Sequence, residues 1–133
     1  MAEMLKVRCA FFEHDTMIPE KFTCLGEDIN PELIIENIPS GTKTLTIILE
    51  DPDALKGNWV HWILFNIPVK SGENKIVISE NSSPGVSGMN DFMTNEYRGP
   101  CPPPGFKPHR YFFRVYALDS ELNLDFATKQ SLE

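Results

Sequence analysis

The sequence has no apolar run long enough to cross a membrane as a helix. No window approaches the roughly 18 apolar residues that a spanning helix needs. Residues 1–6 lead straight into mixed polar sequence and lack the apolar core of a secretion signal. We therefore expect a cytoplasmic protein without a transmembrane segment.

Cysteine is scarce as well. The three cysteines, Cys9, Cys24 and Cys101, are odd in number and match neither a zinc site nor a C-x-x-C redox motif. We expect reduced thiols, as is usual in a cytoplasm, and a processed, exported protein is the alternative. Cys101 lies between prolines in an irregular loop and should react with thiol reagents faster than Cys24.

Positive charge is in deficit. The chain has 12 basic and 19 acidic residues, which gives a net charge of −7. Such a surface repels phosphate backbones and anionic lipid faces, and this argues against nucleic-acid and bulk-membrane binding. It does not exclude one locally positive pocket.

The size and composition indicate one globular domain spanning residues 1–133. The hydrophobic fraction is 41% and the charged fraction 23%, both ordinary values. A domain of this length buries about two-thirds of its unfolded surface, so its core needs no disulfide. Proline is abundant, with 11 residues placed mainly between short apolar runs. This arrangement favours an all-β antiparallel sandwich or barrel.

Three apolar runs are predicted to be strands, at residues 44–49, 59–67 and 109–118. The first is rich in β-branched residues, the second is apolar on both parities, and the third alternates, with Arg114 on its polar side. Shorter strands are expected at residues 32–36 and 75–78. No helical periodicity is evident before residue 120.

A segment rich in Gly, Pro, Asn and Ser occupies residues 79–108. Structureless segments of this length are uncommon in compact domains. Its bulky residues predict that it packs against the domain; they are Phe92, Met93, Tyr97 and Phe106.

Three polar residues share the alternation of buried strand residues. Asp51 continues the inward face of the first strand, and His61 has the parity of Ile63, Phe65 and Ile67. His109 begins the inward face of the third strand. Each alone is most often a hydrogen-bonded core residue or a turn cap. Three in one small domain favour a shared pocket, because a buried polar group without partners costs several kcal/mol.

Five blocks of this sequence resemble the phosphatidylethanolamine-binding proteins, also called Raf kinase inhibitor-like proteins, in their bacterial and archaeal form. The blocks occur in the family's order and cover most of residues 20–120. They are Glu50-Asp51-Pro52-Asp53-Ala54, Gly57-Asn58-Trp59-Val60-His61-Trp62, Gly88-Met89-Asn90-Asp91-Phe92, Tyr97-Arg98-Gly99-Pro100-Cys101-Pro102-Pro103, and Pro108-His109-Arg110-Tyr111-Phe112-Phe113-Arg114-Val115-Tyr116-Ala117-Leu118.

The resemblance implies a β-sandwich of two antiparallel sheets with few short helices and a small anion cavity. It implies no cofactor and no catalysis, but binding of phosphate, acetate or a phosphorylated head group. The ligand-binding residues carried over are Asp51, Asp53, His61, Pro100, His109 and Tyr111, with Trp59 as a wall.

The sequence departs from the family's pattern in two places. Leu55 replaces the second proline of the family's Asp-Pro-Asp-Ala-Pro, which removes one fixed backbone angle from that loop. The chain also ends shortly after Thr128, where a helix is expected to begin. We therefore expect the domain to lack the family's C-terminal helix and strand.

Alternatives to a non-catalytic anion-binding module remain open at this point. A metal-dependent enzyme could use Asp51, His61 and His109 as a facial triad, although no sequence-local ligand pair supports it. A regulatory role through a protein partner such as a kinase or a protease follows from the family's name alone. A homodimer is equally open.

Overall fold

The computed structural model of the protein describes residues 6–9, 20–53, 58–101 and 111–120. Within these ranges the chain forms seven strands and a single 3-10 turn, Glu20–Phe22. The strands are β1 (Lys6–Cys9), β2 (Leu33–Glu36), β3 (Thr44–Asp51), β4 (Trp59–Pro68), β5 (Ile76–Ile78), β6 (Val86–Ser87) and β7 (Phe112–Leu118). They form two antiparallel sheets, in the orders β1-β2-β5 and β6-β4-β3-β7.

Strand β3 is the centre of the four-stranded sheet. It pairs with β4 on one side and with β7 on the other. All eight of its residues are buried, which its β-branched and leucine-rich sequence permits on both faces. The sheet therefore has apolar packing on each side of β3.

The main core lies between the two sheets, because it combines side chains from both. It contains Leu33, Ile35, Ile38, Leu45, Ile47, Leu49, Trp62, Leu64, Ile67, Ile78 and Tyr97. A second, smaller cluster lies on the other face of β3 and β4 and contains Ile48, Val60, Ile63 and Phe65. The four-stranded sheet therefore has apolar side chains packed on both of its faces.

The pairing of β3 with β4 contains a bulge at His61. Leu49 pairs with Trp62, whereas the next residue, Glu50, pairs with Val60, so His61 is the extra residue of β4. The predicted alternation, which placed His61 on the same face of β4 as Ile63 and Phe65, is therefore wrong. Two of the expected companions, Ile63 and Phe65, belong to the smaller cluster, while the main core takes Trp62 and Leu64. The third, Ile67, lies in the main core, beyond a second register shift.

The strands expected from the sequence are present, with β3 extended to Asp51 and β4 to Pro68. The third runs from Phe112 to Leu118 in the described part of the chain, and its predicted start at residues 109–110 lies outside that part. Strands β1 and β6 were not anticipated. The helix expected at Thr128 also lies outside the described residues.

The segment from residue 79 to residue 101 packs on the domain only in part. Tyr97 is 8% exposed and belongs to the main core, as predicted, and Phe92 is half-buried. Met93, in contrast, is 74% exposed, so its expected burial is wrong. Phe106 lies outside the described residues.

Two of the cysteines are joined. Cys24 and Cys101 form a disulfide with a Cα–Cα distance of 5.3 Å, across a sequence separation of 77 residues. The expectation of reduced thiols is therefore wrong for this pair, and so is the expected difference in their reactivity. Sequence spacing could not show that the fold brings these two segments together. Such disulfides occur in exported proteins and in intracellular proteins of hyperthermophiles, so the cytoplasmic location stays a prediction.

Candidate functional site

Three of the predicted site residues meet at one end of the four-stranded sheet. Asp51 is the last residue of β3, and Tyr111 immediately precedes β7, whose Phe112 pairs with Glu50. His61 lies in the bulge of β4, and its ring centroid is 5.4 Å from that of Tyr111. The charge of Asp51 acts on both His61 and Tyr111. The structure thus brings Asp51, His61 and Tyr111 together.

Asp51 is buried, with 3% of its surface exposed. Its Oδ1 accepts a hydrogen bond of 2.8 Å from the backbone N–H of Asp53. This is the local turn that an Asp at a strand end commonly makes. Asp51 therefore both caps the turn after β3 and contributes its charge to the cluster.

His61 is also buried, with 4% of its surface exposed. Its Nδ1 lies 2.7 Å from the carbonyl oxygen of Arg98. A carbonyl oxygen can only accept, so Nδ1 carries a hydrogen and donates it. In the neutral ring, Nε2 is then an acceptor. The bond thereby fixes one tautomer of His61.

Burial is the largest influence on His61 and lowers the pKa of its imidazole below 6.5. The carbonyl of Arg98, the carboxylate of Asp51, the carbonyl of Gly99 and the charge of Asp28 act in the opposite direction. The neutral ring is therefore favoured at neutral pH. Desolvation thus outweighs the neighbouring carboxylate.

Tyr111 keeps its phenolic proton over an unusually wide pH range. Burial, followed by the negative charges of Asp51 and Asp53, raises the pKa of Tyr111 to about 12. Its hydroxyl is therefore a neutral group that keeps its hydrogen up to about pH 12.

The aromatic rings of Phe92 and Trp59 lie beside the cluster, where the 90–101 segment packs against it. The Phe92 ring lies 5.3 Å from His61 and 5.6 Å from Trp59, both in edge-on geometry. The guanidinium of Arg98 lies 5.4 Å from the Phe92 centroid, a cation–π contact. The wall predicted from Trp59 is thus shared with Phe92. Phe92 and Arg98 lie in family-like blocks, but nothing in their spacing showed that they approach His61.

A buried asparagine shapes the segment that carries these groups. The side chain of Asn90 donates to the carbonyl oxygens of Glu96 (2.7 Å) and His61 (3.3 Å). Its Oδ1 accepts from the backbone nitrogens of Phe92 (2.9 Å) and Thr94 (3.0 Å). Asn90 therefore holds the loop against the backbone of His61.

Arg98 is joined to His61 a second time through the backbone. Its own N–H donates to the carbonyl oxygen of His61 over 3.2 Å. The next residue, Gly99, donates its N–H to Asp28 Oδ1 over 2.7 Å. The carbonyl that fixes the tautomer of His61 is therefore held by its neighbours on both sides.

The remaining predicted residues are placed less centrally. Asp53 is half-buried and reaches the cluster through Asp51 and through its charge on Tyr111. Pro100 is buried two residues beyond Arg98, and its carbonyl accepts from the N–H of Cys24 over 3.2 Å. His109 lies outside the described residues.

Two kinds of feature are absent from the described part of the chain: a group of metal-binding side chains and a membrane-spanning helix. Within residues 6–9, 20–53, 58–101 and 111–120, no three or more His, Cys, Asp or Glu side chains form a group that could hold a metal ion. No helix in these ranges is long and apolar enough to span a membrane. The metal triad considered above includes His109, so the structure does not test it.

The fold and the cluster define a two-sheet β-sandwich protein with a small buried polar site at one end of its larger sheet. The model of the phosphatidylethanolamine-binding protein family matches residues 10–133. The chain belongs to this family.

Curated relatives extend the similarity across archaea and bacteria. A UPF0098 protein of Pyrococcus abyssi is 46% identical over 136 residues, covering 98% of this chain and 76% of the relative. One of Archaeoglobus fulgidus is 44% identical over 138 residues. That alignment covers 99% of this chain but only 46% of the relative, so the chain spans less than half of its length.

Solved structures share the fold. A phosphatidylethanolamine-binding protein homologue of Chlamydia trachomatis has a TM-score of 0.84 at 32% identity, covering 96% of this chain and 84% of the homologue. YbcL of E. coli, a member of the mammalian PEBP family, has a TM-score of 0.82 at 28% identity, covering 96% and 85%. The all-β sandwich expected from the sequence is confirmed.

Proposed function

We propose that this protein is a non-catalytic binding module for a small oxyanion, such as phosphate, acetate or a phosphorylated head group. The observation that carries the proposal is the buried cluster of Asp51, His61 and Tyr111 at the sheet end. Core packing does not require three such groups together, and a few polar groups that converge on one buried spot are typical of a small-ligand site. The proposed ligand-binding residues are Asp51, Asp53, Trp59, His61, Pro100, His109 and Tyr111.

The hydrogen bonding of His61 supports binding rather than catalysis. In the described ranges, no serine, threonine or cysteine side chain hydrogen-bonds to either ring nitrogen of His61, whose Nδ1 is bonded to a backbone carbonyl. A nucleophile activated by a histidine would need such a contact. Cys24 and Cys101, which could serve as nucleophiles when reduced, are joined in a disulfide.

Calorimetric titration with inorganic phosphate tests the proposal. We expect one site per chain, and we expect Tyr111→Phe to weaken it by about tenfold, the loss of one hydrogen bond to a charged group. Tyr116→Phe is the matched control, because Tyr116 lies on β7 and is 37% exposed, so this change should leave affinity unchanged. Absence of phosphate binding at millimolar concentration would refute the proposal.

Metal analysis of the purified protein separates this function from the metal-dependent alternative. We expect no stoichiometric zinc or iron. Stoichiometric metal that disappears in His61→Ala would show that the cluster is a metal centre, and the binding-module proposal would be abandoned.

A further inference from the structure

The hydrogen bond at Nδ1 determines what His61 can offer to a ligand. Because Nδ1 donates to Arg98 over 2.7 Å, the remaining ring nitrogen, Nε2, is a hydrogen-bond acceptor in the neutral ring. An oxyanion also presents acceptors. Two facing acceptors leave a buried group unsatisfied, at a cost comparable to losing a hydrogen bond.

The charges around His61 add to this mismatch. Asp51 contributes a negative charge from β3, and Asp28 a weaker one from the segment behind Gly99. Tyr111, on the side of β7, is neutral, and Asp53 acts on it from the turn after β3. The guanidinium of Arg98 is engaged over the Phe92 ring. The carboxylates surrounding His61 favour a ligand that brings a proton with it.

We propose that the site selects tetrahedral oxyanions that carry their own proton, hydrogen phosphate above all, over fully ionised anions of the same shape and charge. The inference rests on the proposed anion-binding function and specifies its ligand class. The O–H of hydrogen phosphate donates a hydrogen bond to Nε2 of His61, and no proton is transferred. Sulfate has no proton to donate, so His61 must first take one from solvent.

The consequence is a difference in proton count between two otherwise matched ligands. At about pH 8 inorganic phosphate and sulfate are both tetrahedral dianions, and only phosphate keeps a proton. Sulfate binding should be accompanied by uptake of close to one proton per site, and phosphate binding by close to none. The preference for phosphate should therefore grow by up to about tenfold per pH unit as pH rises.

Isothermal titration calorimetry of the full chain measures these quantities. Phosphate and sulfate are titrated at about pH 6 and about pH 8, each in two buffers of different ionisation enthalpy at constant ionic strength. The dependence of the observed heat on the buffer gives the number of protons taken up. We expect at least tenfold tighter phosphate binding at the higher pH and a smaller ratio at the lower one.

The possible outcomes distinguish a failure of this inference from a failure of the proposed anion-binding function. If both anions bind with the same proton uptake and the same pH dependence, the selection is refuted and oxyanion binding stands. If neither binds, the proposed function itself is refuted. No variant is required for this comparison, so impaired folding of a mutant cannot obscure the result.

Nuclear magnetic resonance of the His61 ring supplies a second readout. With phosphate bound, the ring nitrogens should give the signature of a neutral ring protonated at Nδ1. With sulfate bound, they should give that of an imidazolium. His61→Gln should abolish the proton uptake that accompanies sulfate binding; retained uptake in this variant would assign the proton to another group and refute the role of His61.

Discussion

Cys24 and Cys101 join the turn after the 3-10 helix to the end of the segment that carries Arg98 and Pro100. The backbone repeats the connection, since the N–H of Cys24 donates to the carbonyl of Pro100 over 3.2 Å. Both cysteines are exposed, so a dithiol reductant can reach the bond. The disulfide is therefore a surface cross-link that anchors the segment containing Arg98, whose carbonyl fixes the tautomer of His61.

Removing this disulfide should destabilise the protein substantially. The bond closes a loop with a sequence separation of 77 residues. A cross-link of this kind typically contributes about 2–4 kcal/mol, in part by restricting the unfolded chain. The double variant Cys24→Ser/Cys101→Ser should lose about that much unfolding free energy in urea. Dithiothreitol should lower the stability of the wild type and leave the double variant unchanged; equal stability of all four samples would contradict the assignment.

Gly99 has no room for a side chain. A methyl group there would overlap the carbonyl oxygen of Phe22 and crowd Asp28 Oδ1. The carbonyl belongs to the backbone and cannot move aside cheaply, so Gly99→Ala should cost about 3 kcal/mol, the upper end of the range for overpacking. The variant should also displace Arg98 and change the ring resonances of His61.

Gly72→Ala is the control for this substitution. Gly72 has a φ of +82° and nothing within 4 Å of the added methyl group, so only backbone strain of about 1 kcal/mol is expected. The His61 resonances should not change in this variant. If both variants were equally stable, close packing of Gly99 against Phe22 would not be what the position requires.

Regular alternation predicted the face on which a residue lies wherever the strand pairing is regular. The β3–β7 register runs without a shift from Thr44 to Glu50. Asp51 therefore lies on the inward face, as expected, and Arg114 on the opposite face, where it pairs with the buried Glu50. The β3–β4 register contains shifts, and there the parity argument failed for the residues after His61. A bulge cannot be recognised from the sequence of a strand whose residues are hydrophobic on both faces.

The contacts of the irregular segment that returns to the sheet could not be predicted from residue patterns. The disulfide partner of Cys24, the tautomer-fixing carbonyl of Arg98 and the ring of Phe92 beside His61 all depend on how residues 86–101 return to the sheet. That path is set by tertiary hydrogen bonds, such as those of Asn90, rather than by periodicity. Composition and turn residues indicate only that the segment is irregular.

Tyr111 should titrate near pH 12, well above an ordinary tyrosine, because burial and the charges of Asp51 and Asp53 raise its pKa to about 12. Absorbance titration of the three tyrosines should show one late step that is missing in Tyr111→Phe. The folded protein keeps this proton when the unfolded chain has lost it, so stability should fall as pH rises from 10.0 to about 12. A late step that persists in Tyr111→Phe would place the buried phenol elsewhere.

His61 should make the protein less stable in mild acid. Burial lowers the pKa of the folded imidazole below the unfolded value of 6.5, so below that pH the unfolded chain binds more protons than the folded protein. The contribution of His61 to the unfolding free energy is therefore complete above pH 6.5 and is lost as pH falls towards the folded pKa. The dependence of this contribution on pH cannot exceed about 1.4 kcal/mol per pH unit for one proton.

Urea denaturation of the wild type and of His61→Gln, at several pH values without added phosphate or sulfate, isolates the effect, since every other titrating group is common to both proteins. The difference in unfolding free energy between the wild type and the variant should shrink as pH decreases through this window. A difference that grew instead would mean that the folded protein holds His61 as an imidazolium, and Asp51 rather than desolvation would then control its charge.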